Sequence, residues 1–178
     1  MFTITQTIFD LEYKEVENPS IWQEDVKMYE VYQDGKIKGR FYLDLHPRDN
    51  KYGHAACFGI KGGKMTANGY QIPTASLVCN FPSPTADKPS LMPHSQVNTF
   101  FHEFGHVLHQ MVTTADLISQ SGTSVSRDFV EAPSQIFENW VWDYDALKLF
   151  AKHYETNEVM PKALFDKMLA AKNVGSGS

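Results

Sequence analysis

Two histidines four residues apart, with a glutamate beside the first, form the segment of this chain best suited to chemistry. The segment reads His102-Glu103-Phe104-Gly105-His106. Because residues i and i+4 share one face of an α-helix, both imidazoles can bind the same ion. In helical zinc sites of this pattern the neighbouring glutamate acts as a general base. The spacing predicts zinc ligands at His102 and His106 and a base at Glu103.

The flanking residues predict the helix that this geometry needs. Pro93 precedes the motif and Ser95 is a candidate N-cap, so we expect a helix to begin there. Apolar side chains recur on the face opposite the two histidines, at Val97, Phe100, Phe101, Phe104, Leu108 and Met111. The helix should bury that face and present the histidines on the other. An ordinary pair of histidines on an amphipathic helix is the alternative.

A catalytic zinc ion needs a third protein ligand. Val112 occupies the position of the third histidine in metzincins, and valine cannot bind the metal. His109 lies near the same helix face, but it is too far along a rigid helix to converge on the same ion, so we expect it to support the site or the structure. A carboxylate on a following helix is the other candidate. We predict Glu131, within residues 128–142, as this ligand.

A resemblance to a known family rests on four segments, FHEFGHVLHQ, SGTSVSRDFVEAPSQIFENWVWDYD, GRFYLDLHPRDNKYGHAACFGI and ASLVCNF. These segments resemble the thimet oligopeptidase family, which includes neurolysin, oligopeptidase A and the bacterial peptidyl-dipeptidases. The resemblance implies one zinc ion (Zn²⁺) held by His102, His106 and Glu131, with Glu103 as general base. It also implies a peptide substrate and a zincin-like catalytic domain.

The resemblance covers only the central catalytic segment of that family. Members are several times longer, and a later segment rich in Gly, His and Tyr stabilises the developing oxyanion. Losing one such donor lowers the rate by about a hundred- to a thousandfold. We therefore expect reduced efficiency, together with exposed apolar surface that leads to weak self-association or an open cleft.

The pattern along the chain predicts an α+β fold with a small, mostly antiparallel sheet followed by the HExxH helix and a Glu-bearing helix. With 178 residues, 42% of them hydrophobic, we expect a single domain over 1–178, strand-rich in 1–92 and helical in 93–178. The predicted elements are a short amphipathic start at 3–11, a hairpin of 26–32 and 38–45, strands at 54–60 and 75–81, a loop at 81–93, and helices at 128–154 and 161–172.

Two further groups of residues are candidates for the site. Ala55, Ala56 and Cys57 resemble the family segment whose strand edge pairs with the substrate, although an interior strand would also suit such small residues. Residues that hold the histidine ligands by hydrogen bonds are expected nearby. The candidates, each also compatible with a solvated or structural role, are His109, Ser134, Gln135 and Glu138.

Composition excludes several classes of partner. The net charge is -5 and the basic residues form no cluster, which argues against nucleic acid. No apolar run approaches the ~20 residues of a membrane span, and the first residues lack the pattern of a signal peptide, so a cytoplasmic location is the expectation. We expect Cys57 and Cys79 to be reduced core thiols rather than a disulfide. The small residues at 175–178 suit a linker, but members of the family that the chain resembles also carry small residues near this point.

Three functions stay open at this point. The first is an active zinc oligopeptidase, a hydrolase of the metalloprotease class. The second is a zinc-binding module with little or no activity, which serves as a structural or peptide-binding unit. The third is an enzyme that is active only in an assembly, where another chain supplies the missing elements.

Overall fold

The computed structural model describes residues 1–174 and shows an α+β fold over that range, as the sequence predicted. The strands are β1 (Glu12–Glu15), β2 (Lys27–Gln33), β3 (Lys36–Asp44), β4 (Ala56–Lys61), β5 (Lys64–Thr66), β6 (Gly69–Gln71) and β7 (Thr74–Val78). The helices are α1 (Phe2–Phe9), α2 (His94–Met111), α3 (Arg127–Val130), α4 (Ala132–Glu138), α5 (Tyr144–Leu147) and α6 (Lys162–Lys172). Short 3-10 turns occupy Ile118–Gln120 and Asn139–Trp142.

Five strands form one sheet in the order β1-β2-β3-β7-β4, and β5 pairs with β6 separately. The sheet is mixed: β3 runs parallel to β7, and the other three neighbour pairs are antiparallel. Among the described strands β4 pairs only with β7, so its other side is a free edge. That edge lies beside helix α2, where a side chain of the helix reaches the main chain of the strand.

The turn between β2 and β3 explains the hairpin that the sequence predicted. Asp34 and Gly35 have φ values of 52° and 69°, and Gln33 pairs with Lys36 across them. Two consecutive residues with positive φ match the right-handed twist of the flanking strands. Asp and Gly tolerate this conformation, so the dipeptide fixes the register.

Helix α2 packs its apolar face on the sheet. Phe101, Phe104, Val107 and Met111 are buried there, and Phe104 meets Phe41 of β3 edge to face, with ring centroids 5.6 Å apart. Val97 and Phe100 are partly buried against the same core. The apolar arc predicted from the sequence therefore faces the core, which fixes the direction in which the opposite face points.

A buried ion-pair network fastens the end of β3 to the segment that leads into β4. Asp44 is 1% exposed, and its carboxylate lies 2.7 Å from both Lys51 Nζ and Arg48 Nη1. Trp22 Nε1 donates to the same carboxylate at 2.9 Å. Burying a charge is unfavourable unless partners satisfy it, and three donors do so here. The network positions the connection from which β4 starts.

The prediction of one helix over 128–154 is wrong. The segment contains α3, α4, a 3-10 turn and α5 in succession. Pro133 at the start of α4 lacks an N–H donor, and its ring would clash with the carbonyl four residues earlier in a continuous helix. Asp143 is extended, with φ -104° and ψ 126°, and accepts a 2.8 Å hydrogen bond from the main-chain N–H of Ala146. These two residues interrupt the helical pattern.

Smaller differences occur at other element ends. Ser95 is not an N-cap, because α2 begins at His94 and Pro93 precedes it without a side-chain cap. The sequence did not predict β1, which has four residues, or the hairpin of β5 and β6, which have three residues each. Such short segments carry too little apolar periodicity to be recognised.

No helix within the described residues is long and apolar enough to cross a membrane. The predicted linker at 175–178 lies outside the described residues.

Candidate metal centre

Helix α2 carries His102 and His106 one turn apart on its partly exposed face. Their rings lie 5.1 Å apart between centroids and are nearly perpendicular, at 82°. Because the opposite face is buried in the core, the two imidazoles are held over the same point outside the helix.

Glu131 completes a compact donor set from the turn between α3 and α4. Its Oε2 lies 3.3 Å from His102 Nε2 and 3.1 Å from His106 Nε2, and the three ligand atoms lie within 4.8 Å of one another. Ligand atoms bound to tetrahedral zinc at about 2.0–2.1 Å lie about 3.3 Å apart. Both nitrogens lie at about this separation from the carboxylate oxygen, so the donor set fits a zinc ion.

Ser134 holds the Glu131 carboxylate in place. The Ser134 hydroxyl is fully buried and lies 2.8 Å from Glu131 Oε2 and 2.9 Å from the Glu131 carbonyl oxygen. This hydrogen bond is the main cause that lowers the pKa of Glu131; burial opposes it, and the nearby His106 and His102 add to it. The carboxylate is therefore kept in its charged form, which is the form that binds a cation.

The two histidines differ in their remaining ring nitrogens. His102 Nδ1 lies 2.7 Å from Glu138 Oε1, and Asn98 donates to Glu138 Oε2 at 3.0 Å. Burial raises the pKa of Glu138, but the hydrogen bonds from Asn98 and His102 outweigh it and the pKa is lowered. His106 Nδ1 is buried and has no hydrogen-bond partner among the described residues.

Gly105 allows the two ligand-bearing segments to approach each other. A Cβ atom at this position would lie 2.7 Å from Ser134 Cα and 3.0 Å from the Pro133 carbonyl oxygen, closer than van der Waals contact permits. Only glycine can occupy this point of α2 without displacing α4. The residue type at 105 thus sets the distance between the histidines and Glu131.

The Glu103 side chain contacts the free edge of β4 and not Glu131 or Glu138, the two carboxylates that contact the histidines. Its Oε2 accepts a 3.0 Å hydrogen bond from the main-chain N–H of Cys57 in β4. Ala55 and Ala56 precede this position, and all three residues are partly buried. Burial, and then the Glu103 carboxylate, raise the pKa of the Cys57 thiol to about 12, so the thiol stays protonated at neutral pH. Cys57 and Cys79 are both free thiols.

Comparison with known proteins identifies the family. The family model described as Peptidase family M3 matches residues 1–178. This chain belongs to peptidase family M3. The thimet-like oligopeptidase of Dictyostelium discoideum is 44% identical over 180 residues, which cover 98% of this chain and 27% of that protein. The predicted resemblance to the thimet oligopeptidases is thereby confirmed.

Two other relatives of this M3 chain match over nearly the same range. Oligopeptidase A of Escherichia coli (strain K12) is 45% identical over 176 residues, covering 97% of this chain and 26% of the relative. Saccharolysin of Saccharomyces cerevisiae is 42% identical over 186 residues, covering 98% and 26%. The M3 chain described here therefore spans about a quarter of the length of these relatives.

The structure of this M3 chain brings some predicted residues together and separates others. His102, His106, Glu131, Ser134 and Glu138 form one cluster joined by hydrogen bonds and close contacts between carboxylate oxygens and imidazole nitrogens. By contrast, His109 packs beside Phe129, and its buried Nδ1 has no hydrogen-bond partner among the described residues. Burial lowers the pKa of His109, and the nearby His106 lowers it further. Gln135 is exposed and forms no hydrogen bond with either histidine.

Sequence reasoning missed Gly105 and Asn98. Glycine inside a helix is unfavourable by about 1 kcal/mol relative to alanine, so Gly105 in the middle of α2 is a signal of close packing that the sequence does contain. Asn98 lies one turn before His102, but nothing in its spacing indicates which residue it contacts. Its partner is on another helix.

Proposed function

We propose that this chain is the zinc-binding, zincin-like catalytic part of a metallopeptidase that hydrolyses peptide bonds of oligopeptides. The observation that carries the proposal is the separation of the Glu131 oxygen from the two imidazole nitrogens, 3.1 and 3.3 Å, which suits a single tetrahedral ion. Membership of a peptidase family and the names of the relatives support it. A cytoplasmic location stays an expectation from the sequence.

His102, His106 and Glu131 would hold the ion. Zinc, when bound, supplies Lewis-acid chemistry that polarises the peptide carbonyl and makes water acidic enough to deprotonate near pH 7. The residues hydrogen-bonded to the ligands fix their orientation: Ser134 holds Glu131, and Glu138 holds His102.

Glu103 would move the proton. A carboxylate adjacent to the ligands can accept a proton from the attacking water and deliver it to the departing amine. Its bond to the Cys57 N–H holds one carboxylate oxygen and leaves the other, Oε1, available. We assign Glu103 the role of general base, and afterwards of general acid.

The free edge of β4 would hold the substrate. An extended peptide that pairs with a strand edge is bound through its main chain, so its side chains matter little. The Cys57 N–H at this edge is bonded to Glu103, so other main-chain groups of the edge would pair with the peptide, and the nearness of Glu103 supports assigning Ala55, Ala56 and Cys57 to substrate binding. The position of the edge favours this reading over an interior packing strand.

A direct test measures zinc content and hydrolysis of a fluorogenic oligopeptide. The wild type should bind one zinc ion per chain, lose hydrolysis on chelation and regain it when zinc is returned. Glu103→Gln should keep the zinc but lose about 10²–10⁴-fold in rate, because only the proton acceptor is removed. Glu24→Gln, at an exposed carboxylate outside the site, is the control.

The possible outcomes separate the functions left open by the sequence. Absence of zinc binding refutes the proposal. Zinc binding without hydrolysis by the wild type supports the inert module, or activity that needs the rest of a longer enzyme. Hydrolysis by Glu103→Gln at the wild-type rate removes Glu103 from the mechanism.

A further inference from the structure

A line of hydrogen bonds continues from His102 through side chains outside the proposed zinc ligands. His102 Nδ1 lies 2.7 Å from Glu138 Oε1, Asn98 Nδ2 donates to Glu138 Oε2 at 3.0 Å, and Trp142 Nε1 donates to Asn98 Oδ1 at 3.2 Å. We call this group the Trp142 relay; its four residues are His102, Glu138, Asn98 and Trp142. It joins α2 to α4 and to the turn that follows α4.

Each hydrogen bond of the relay has only one possible donor. An indole N–H can only donate, so Asn98 must present its oxygen to Trp142. The amide nitrogen of Asn98 then faces Glu138, whose carboxylate can only accept. Both neighbours of Asn98 therefore require the same orientation of its amide, with the oxygen toward Trp142 and the nitrogen toward Glu138. The remaining carboxylate oxygen requires a donor, and His102 Nδ1 is that donor.

We propose that Trp142 and Asn98 are positioning residues of the zinc site, which hold His102 in the tautomer with the proton on Nδ1 and the lone pair on Nε2. This inference rests on the proposed zinc site. Only the Nε2 lone pair can bind an ion in the place defined by Glu131. Without the relay, the alternative tautomer would direct an Nε2 proton toward Glu131, 3.3 Å away.

The relay serves one histidine and not the other. His106 Nε2 lies 3.1 Å from Glu131 Oε2, but His106 Nδ1 has no hydrogen-bond partner in the described part of the chain, so no carboxylate holds a proton on that nitrogen. Lys172 strengthens the outer end of the relay, because its Nζ lies 4.2 Å from the centre of the Trp142 ring. His106 therefore provides an internal reference for any measurement on His102.

The size of the effect follows from the surroundings. Direct hydrogen-bond partners of metal ligands contribute about 10–100-fold to affinity. Asn98 and Trp142 lie one and two hydrogen bonds beyond Glu138. Together with Glu138 they line a cleft of about 460 Å³, so water can replace part of a hydrogen bond that a substitution removes. We expect Trp142→Phe to weaken zinc binding by about three- to tenfold.

The first experiment compares zinc dissociation constants, measured by chelator competition. Trp142→Phe keeps the ring under Lys172 but removes the N–H donor. Trp140→Phe is the matched control, since Trp140 packs partly buried against the core without a described indole hydrogen bond. Asn98→Leu and the double variant with Trp142→Phe complete a cycle. If the two residues act in one relay, the double variant binds zinc no more weakly than Asn98→Leu.

The second experiment needs neither zinc nor activity. The ¹⁵N resonances of the histidine rings, recorded on the metal-free protein at pH 8, show which nitrogen carries the proton. We expect Nδ1–H at His102 in the wild type and in Trp140→Phe, and a mixture of tautomers in Trp142→Phe and Asn98→Leu. An Nε2–H form of His102 in the wild type would overturn the inference.

Equal zinc affinities for Trp142→Phe and Trp140→Phe, or additive effects in the cycle, would also overturn it. Failure of the wild type to bind zinc is a different result. It would refute the proposed function, while the resonances of metal-free His102 would still decide whether the relay fixes its tautomer.

Discussion

The Glu103 carboxylate and the main-chain N–H of Cys57 are joined by a 3.0 Å hydrogen bond. The proposed base on α2 and the free edge of the sheet are thus parts of one rigid unit. A peptide paired with β4 would lie at a distance from Glu103 that the main chain sets.

Removing the Cys57 N–H should release Glu103. Cys57→Pro lacks this donor, and proline is tolerated at an edge strand where the N–H points away from the ladder. A hydrogen bond to a charged group contributes about 1.5–3 kcal/mol, so we expect hydrolysis of the oligopeptide to fall by about 10–100-fold with unchanged zinc content. Cys57→Ala keeps the N–H and should retain activity. Equal rates for the two variants would show that the bond is not needed.

Glu131→Gln should weaken zinc binding severely. The amide keeps the size of the side chain but loses the negative charge that the ion requires. Because even hydrogen-bond partners of ligands contribute about 10–100-fold, we expect affinity to fall by more than about a hundredfold. Chelator competition measures the change, and Asp128→Asn, in the preceding helix turn, is the control. Unchanged affinity in Glu131→Gln would contradict its assignment as a ligand.

Gly105→Ala should disturb both stability and metal affinity. The added methyl group would lie 2.7 Å from Ser134 Cα, so α2 and α4 must separate. Overpacking of this kind typically destabilises by about 1–3 kcal/mol, which urea unfolding can measure. Gly53→Ala is the matched control, because nothing lies within 4 Å of a Cβ at that position. If both variants unfold at the same urea concentration, the close approach of the helices is unimportant.

Acid should weaken the fold through Asp44. Burial raises the pKa of this carboxyl, but hydrogen bonds from Arg48, Lys51 and Trp22 outweigh burial and lower it to about 2. The pKa in the unfolded chain is about 3.9, so the folded value is the lower one. The stabilisation is fully present above about pH 4 and is lost as the pH falls toward 2.

The corresponding measurement is urea unfolding between pH 5 and pH 2. Asp44 should account for a loss of about 2 kcal/mol over this range, because one pKa unit corresponds to about 1.4 kcal/mol. The reference is the double variant Asp44→Asn with Lys51→Met, which removes both buried charges together and avoids leaving one unpaired. Identical pH dependence in the wild type and the double variant would rule out this role of Asp44.

Local spacing predicted that His102 and His106 share one face of α2, and Asp34 and Gly35 predicted the hairpin between β2 and β3. The role of Glu103 rests on the motif and stays a prediction. The structure places Glu131 beside the histidines, as expected of a carboxylate from a later segment.

Local spacing could not predict the contacts between segments that are distant in the sequence. The helical pattern over 128–154 is genuine, but the capping bond of Asp143 and the ring of Pro133 compete with it successfully. Which residue Asn98 contacts depends on how α2 and α4 cross, and that crossing depends on Gly105 meeting Ser134. Tertiary packing decides both points.

The contact at Gly105 also determines how the protein meets its ion. The main chain at Gly105 and the main chain at Pro133 and Ser134 are in direct van der Waals contact, and this contact sets the distance between the histidines and Glu131. The contact does not change when an ion binds or leaves. Zinc uptake would therefore be the filling of a rigid receptor, unlike the metal-coupled folding of zinc fingers. The free energy of coordination would then appear as affinity for the ion, with little of it consumed in ordering the chain.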